Sequence, residues 1–194
     1  MPPRPLTKGE VALARSIFGD AIKYDRVTIT DGQFVAFQPK GTAMAPEGNL
    51  YMYGCYKDDF SNGDVYTQGH FIHEMTHVWQ FQNKVLRPIT AALELNFQFK
   101  FNYLAAYDYK LDGTKDLLDY NMEQQASIVQ DYFVRTHGGK AGYRGNCVDA
   151  YTDADKTALY QKTLEKFLQN PGYAKREKFP KPAIFARRKK PPGA

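Results

Sequence analysis

The sequence predicts an α+β domain in which a small N-terminal antiparallel sheet is followed by a mainly helical body. Three observations carry that expectation. Between Arg26 and Tyr56 apolar and polar residues alternate, and turn-forming residues punctuate the alternation. Beyond Asp64 apolar residues recur every three or four positions, the helical period. The chain of 194 residues, 43% of them hydrophobic, is long enough for one core of ordinary size. No apolar run approaches the roughly 20 residues of a membrane-spanning helix, so no span is expected.

The elements follow in order. Thr7-Lys8-Gly9-Glu10 reads as a capping box, in which the Thr hydroxyl and the Glu carboxylate each satisfy an orphan backbone N–H. Behind it Val11, Leu13, Ala14, Ile17 and Phe18 fall on a helical face, and Gly19 is the stop. Val27–Thr30 is expected to form a hairpin with Gln33–Gln38 across Asp31-Gly32. A second hairpin pairs Gly41–Ala45 with Asn49–Tyr53 around Pro46-Glu47-Gly48. Residues 58–63 form a polar loop, and Asp64 caps a helix running to about Asn83. Pro88 can start another over Ile89–Tyr107, although Phe97, Phe99 and Phe101 alternate like a strand. Leu117–Val134 reads as one helix ending at Gly138-Gly139. Asp153–Leu168, capped by Thr152 or Asp153 and stopped by Asn170-Pro171, is the last.

Charge divides the chain into a domain, 1–173, and a basic Pro-containing tail, 174–194. The tail holds eight Lys and Arg against one Glu, net +7, so the overall +5 leaves −2 for the domain. Arg187–Lys190 reads as a solvated or docking extension; no base-reading motif or stacking platform accompanies it, so nucleic acid is not the expected partner. Two cysteines, Cys55 and Cys147, are too few for a disulfide scaffold or an all-cysteine zinc site. The first ten residues lack the apolar stretch of a cleaved signal, so synthesis in the cytoplasm without one is expected.

The chemistry lies in His73-Glu74-Met75-Thr76-His77. Two histidines at i and i+4 on a helix stand on one face and can turn their Nε2 atoms to one metal ion. Glu74, beside the first, can reach a metal-bound water without binding the metal. This is the H-E-x-x-H arrangement of zinc metallopeptidases, in which the ion activates the water and the Glu carries its proton. Ile72, Met75 and Trp79 supply an apolar face to the same helix. One zinc ion per chain is expected.

Two histidines need a third ligand. The metzincin continuation would have Gly at position 80 and His at 83, where this chain has Gln80 and Asn83. The gluzincin arrangement takes a Glu from a later helix, and Glu123, with small Ala126 one turn on, fits it. Asp131, Asp108 and His137 are weaker competitors, and His70 sits too close along the same helix. Thermolysin-like gluzincins often carry an Asp four residues after the ligand Glu to orient a histidine; here that position is Ser127. Asp131 is then a candidate for that supporting role. An oxyanion donor is sought among Tyr120, Tyr132 and His137, the groups nearest the Glu123 helix. Asn49, Leu50, Tyr51, Met52 and Tyr53, upstream of the motif, form a candidate strand for pairing with an extended substrate.

Leu13–Asp20, Phe71–Gln80 and Glu123–Ala126 together resemble the small bacterial Vgr-related proteins of the Rhs-element Vgr family. The resemblance covers roughly residues 6–137. It implies a zincin-like domain associated with type VI secretion, with His73, His77 and Glu123 as ligands and Glu74 as catalytic base. A metallopeptidase effector delivered into a target cell by a contractile apparatus is the function it implies. Its partners would be a peptide or protein substrate and a secretion-apparatus component or an immunity protein. A zincin shell without strong activity, acting as an adaptor of such a machine, is the alternative.

Overall fold

The computed structural model describes residues 2–86, 107–140 and 152–180. Nearly all of the helix expected over Ile89–Tyr107, together with Cys147 and Arg187–Lys190, lies outside these residues. The described chain forms β1 (Arg4–Pro5), α1 (Lys8–Phe18), β2 (Thr28–Thr30), β3 (Thr42–Met44), β4 (Leu50–Tyr53), α2 (Val65–Gln82), α3 (Met122–Thr136), α4 (Asp153–Thr163) and α5 (Glu165–Gln169). The class is α+β, as the sequence predicts: a four-stranded sheet and a mostly helical body.

The sheet is mixed, which corrects the antiparallel expectation. Its order is β1-β2-β4-β3. β1 pairs antiparallel with β2 (Arg4 opposite Ile29), β2 runs parallel to β4 (Ile29 opposite Leu50), and β3 is antiparallel to β4 (Ala43 opposite Met52). Gln33–Gln38 is therefore not the return arm of a hairpin, because β1 and β4 already occupy both edges of β2. The segment loops out instead, and buried Gln38 fastens it. Gln38 Oε1 accepts from the Phe34 amide at 2.8 Å, while Nε2 donates to the Thr42 carbonyl at 3.0 Å.

The second hairpin forms as expected. Its turn places Glu47 and Gly48 at φ 52° and 83°, and a Cβ at Gly48 would lie 3.1 Å from the Phe81 ring. That is why glycine ends the turn.

The capping box of α1 is present: Thr7 Oγ1 accepts from the Glu10 amide at 3.0 Å and Glu10 Oε2 from the Thr7 amide at 2.9 Å. Glu10 does more than cap. Fully buried, it also accepts two bonds from Arg4, each 2.8 Å, and one from the Phe60 amide at 3.0 Å. One carboxylate thus ties β1, α1 and the loop before α2.

Helix α2 is the centre of the packing. Asp64 caps it, accepting from the Thr67 amide at 2.7 Å. Every residue from Phe71 to Gln80 is buried, so it is a core helix rather than one with a single apolar face. Phe71 stacks on Phe60 with centroids 5.5 Å apart, and Trp79 meets Phe167 edge-on at 5.2 Å. The chain beyond Asn170 crosses the far end of α2. Trp79 Nε1 donates to the Pro171 carbonyl at 2.8 Å, the Arg176 amide to the Asn83 carbonyl at 2.9 Å, and the Phe81 and Phe179 rings stand 5.6 Å apart. Among the described residues no helix is long and apolar enough to cross a membrane.

Candidate metal centre

Two helices build the site. α2 supplies His73, Glu74 and His77, and α3 lies against it. Gly69 permits the approach, since a Cβ there would fall 2.7 Å from Val134 Cγ2; Ala126 on α3 is fully buried. The stretch read as one helix over Leu117–Val134 is in fact a 3-10 turn, Leu117–Asp119, followed by α3. Asn121 causes the break. Its side chain accepts from the Glu123 and Gln124 amides, both at 3.0 Å, and Gln124 Oε1 accepts from the Asn121 amide at 3.1 Å. This capping box puts Glu123 in the first turn of α3, where the helix dipole favours a carboxylate.

His73, His77 and Glu123 converge. One ligand atom from each lies within 4.8 Å of the others, and all three residues are buried. Glu123 Oε2 is 3.4 Å from His73 Nε2 and 3.3 Å from His77 Nε2. A charge-assisted N–H···O bond would be about 2.7–2.9 Å. A tetrahedral zinc ion with bonds of about 2.0–2.2 Å holds its ligand atoms about 3.3–3.5 Å apart. The spacing fits the cage better than a closed ion pair, and nitrogen and oxygen donors of this kind suit zinc.

Two glutamines turn the rings inward. His73 Nδ1 donates to Gln130 Oε1 and His77 Nδ1 to Gln80 Oε1, each at 2.9 Å, so that both rings turn Nε2 toward Glu123. Neither glutamine was identified from sequence. The available signal was spacing: Gln80 follows His77 by three residues, and Gln130 follows Glu123 by seven, on the same helical face.

Glu74 is buried beside the histidines. Its Oε2 has no hydrogen-bond partner among the described residues, and its Oε1 lies 3.8 Å from His70 Nε2. Burial lowers the pKa of His70 against the opposing pull of Glu74.

Other sequence candidates go elsewhere. Asp131 Oδ2 accepts from Tyr109 at 2.5 Å and from Tyr160 at 3.4 Å, so the expected support for a ligand histidine falls to Gln130 instead. The Tyr120 hydroxyl donates to the Lys110 carbonyl at 2.9 Å. His137 ends α3, its Nδ1 donating to the Phe133 carbonyl at 2.8 Å and its ring stacked on Phe133. Tyr132 packs half-buried against the core. Among the described residues, the tyrosine that meets the site is Tyr107, whose ring stacks on His73 with centroids 5.9 Å apart. Leu50–Tyr53, expected as a substrate strand, is interior: β2 and β3 take its two edges, and Asn49 Oδ1 accepts from Thr28. Among the described residues, the edge strand on that side is β3.

Electrostatics bind the cluster together. Burial alone would lower the His77 pKa, yet Glu123 outweighs it and pushes the value up to about 9. Burial alone would raise Glu123, yet His77 and then His73 hold it well below the carboxylate range. Cys55, half-buried, is pushed up to about 11 by burial and then by the Glu74 charge, so it is no thiolate at neutral pH.

No protein-family model matches the chain. Over 133 residues, 68% of its length, it is 42% identical to the type VI secretion system spike protein VgrG2b of Pseudomonas aeruginosa. It spans only 13% of the length of that curated relative. The solved effector domain of the same VgrG2b matches with a TM-score of 0.65 at 34% identity, covering 84% of this chain and 82% of that one. With a likeness that nearly fills both chains, this protein belongs to the Vgr-related family, alongside the VgrG2b effector domain.

Proposed function

We propose that this chain is a zinc-dependent metallopeptidase that acts as an effector of a type VI secretion system. The observation that carries the hydrolytic half is the spacing of Glu123 Oε2 from the two Nε2 atoms, 3.4 and 3.3 Å. His73, His77 and Glu123 would hold the ion. Bound there, zinc supplies a polarising charge for a scissile carbonyl and acidifies a water. Glu74 takes that water's proton at its carboxylate and returns it to the leaving amine. Its buried Oε2, without a partner among the described residues, is suited to receive it. An extended substrate would pair with β3 rather than β4, because among the described residues β3 is the edge strand on that side.

The relation to an effector domain of a secretion spike supports delivery by such a machine into a target cell. The partners would be that apparatus, an immunity protein and a peptide or protein substrate.

Elemental analysis is the first test: about one zinc per purified chain is expected, and less in Glu123→Ala. Glu74→Gln should keep its zinc and lose peptide hydrolysis and toxicity by about 10²–10⁴-fold. Toxicity untouched in Glu74→Gln would sink the hydrolytic mechanism and leave the adaptor role as the reading to follow.

A further inference from the structure

Gln80 is wholly buried, and its amide is used on both sides. Its Nε2 donates to the Met122 carbonyl and to Gln125 Oε1, both at 3.0 Å, while its Oε1 accepts from His77 Nδ1 at 2.9 Å. Gln125 is fixed in turn, its Nε2 donating to the Tyr120 carbonyl at 2.8 Å. The chain of amides therefore has one direction. Reversing Gln80 would set its oxygen against two acceptors, a carbonyl and an amide oxygen, inside the core. With the amide locked, Nδ1 of His77 must carry a proton, so Nε2 is the nitrogen left to take a metal ion. Met122 adjoins Glu123, so the same side chain also holds the first turn of α3 in register with α2.

We infer that Gln80 is a positioning residue that sets the ring of His77 and the placement of Glu123 together. This rests on the zinc reading above. Gln130 acts differently: it reaches from α3 to His73 on α2, whereas Gln80 holds a ligand histidine of its own helix and, through the Met122 carbonyl, the first turn of α3 that carries Glu123.

The test is zinc affinity of the full chain by chelator competition, with cobalt(II) absorption as a second readout. Gln80→Met keeps the length of the side chain and removes donors and acceptor alike. Thr7→Ala, which uncaps α1, is the control for simple destabilisation. Gln80→Met should bind zinc about 10–100-fold more weakly and shift the cobalt bands, while Thr7→Ala matches the wild type in both. Wild type that binds zinc, with Gln80→Met within about twofold and spectrally unchanged, would overturn the inference and leave the zinc site standing. Wild type that takes up no zinc would overturn both. Should Gln80→Met fail to fold, the His77 Nδ1 proton of zinc-loaded wild type decides. Slow exchange with water is expected, and exchange as fast as that of an open imidazole would overturn the assignment.

Discussion

Glu10 and Glu123 are both carboxylates withdrawn from water, and each offsets that cost differently. Glu10 is surrounded by donors, two from Arg4 and one each from the Thr7 and Phe60 amides. Glu10→Ala leaves two amides and half of an ion pair unsatisfied, and should cost about 3 kcal/mol, read as a lower urea midpoint. Glu123 has two histidines instead, which makes the metal-free protein pH-sensitive. His77 is raised from 6.5 to about 9, so its share of stability is complete below pH 6.5 and disappears as pH climbs through about 9. Glu123 is depressed from 4.5, so its share is complete above pH 4.5 and disappears as pH falls toward its lowered value. Both contributions coexist between pH 4.5 and 6.5. Unfolding of the metal-free chain across pH should show a loss above that window which Glu123→Gln abolishes. Zinc must displace the His77 proton, so its affinity should weaken by about tenfold per pH unit below pH 9, checked by chelator competition at several pH values.

Helix α2 and helix α3 meet where Gly69 faces Val134, and the approach brings Glu123 to the histidines. Gly69→Ala would put a Cβ 2.7 Å from Val134 Cγ2. The helices must part or Val134 must turn, at about 1–3 kcal/mol. The expected result is a lower melting temperature together with weaker zinc binding; a fall in stability with zinc affinity untouched would show that Val134 alone gives way. Local signals predicted such elements well. The caps at Thr7, Asp64 and Thr152 are each made by a side chain three residues from its target, so the sequence holds both halves of the interaction. His73, His77 and Glu123 were legible for a related reason, because helical periodicity turns spacing into a shared face. The local alternation of Gln33–Gln38 does not reveal its loop, because β2's neighbour is Arg4–Pro5, two residues whose pairing depends on where α1 carries the chain. Asn121 does not stand out as a cap because the apolar period runs on through it. Gln80 and Gln130 were invisible for a further reason: a glutamine on a helix is usually solvated, and only burial makes its amide consequential.

At the scale of the whole molecule, the C-terminal segment closes the core around α2. The helix carries two of the proposed ligands near its middle, and its far end is held by residues almost a hundred positions later. Trp79 lies only two residues beyond His77 and gives its indole N–H to the Pro171 carbonyl. Asn83, which ends the helix, receives the Arg176 amide and donates to the Ala21 carbonyl at 2.9 Å, joining the strap to the turn after α1. Ala174 is buried between these contacts. A chain ending at Asn170 would strand the Trp79 N–H inside the core, a loss of about 1–3 kcal/mol before any packing is counted. The last turn of α2 would then fray toward His77. Such a truncation should melt at a lower temperature, fluoresce from a wetter tryptophan, and bind zinc more weakly than the full chain. Since Trp79 is the protein's one tryptophan, its emission reports this end of α2 directly. An unshifted emission maximum with an unchanged melting temperature would mean that α2 keeps its own end in place and that the strap is only laid against it.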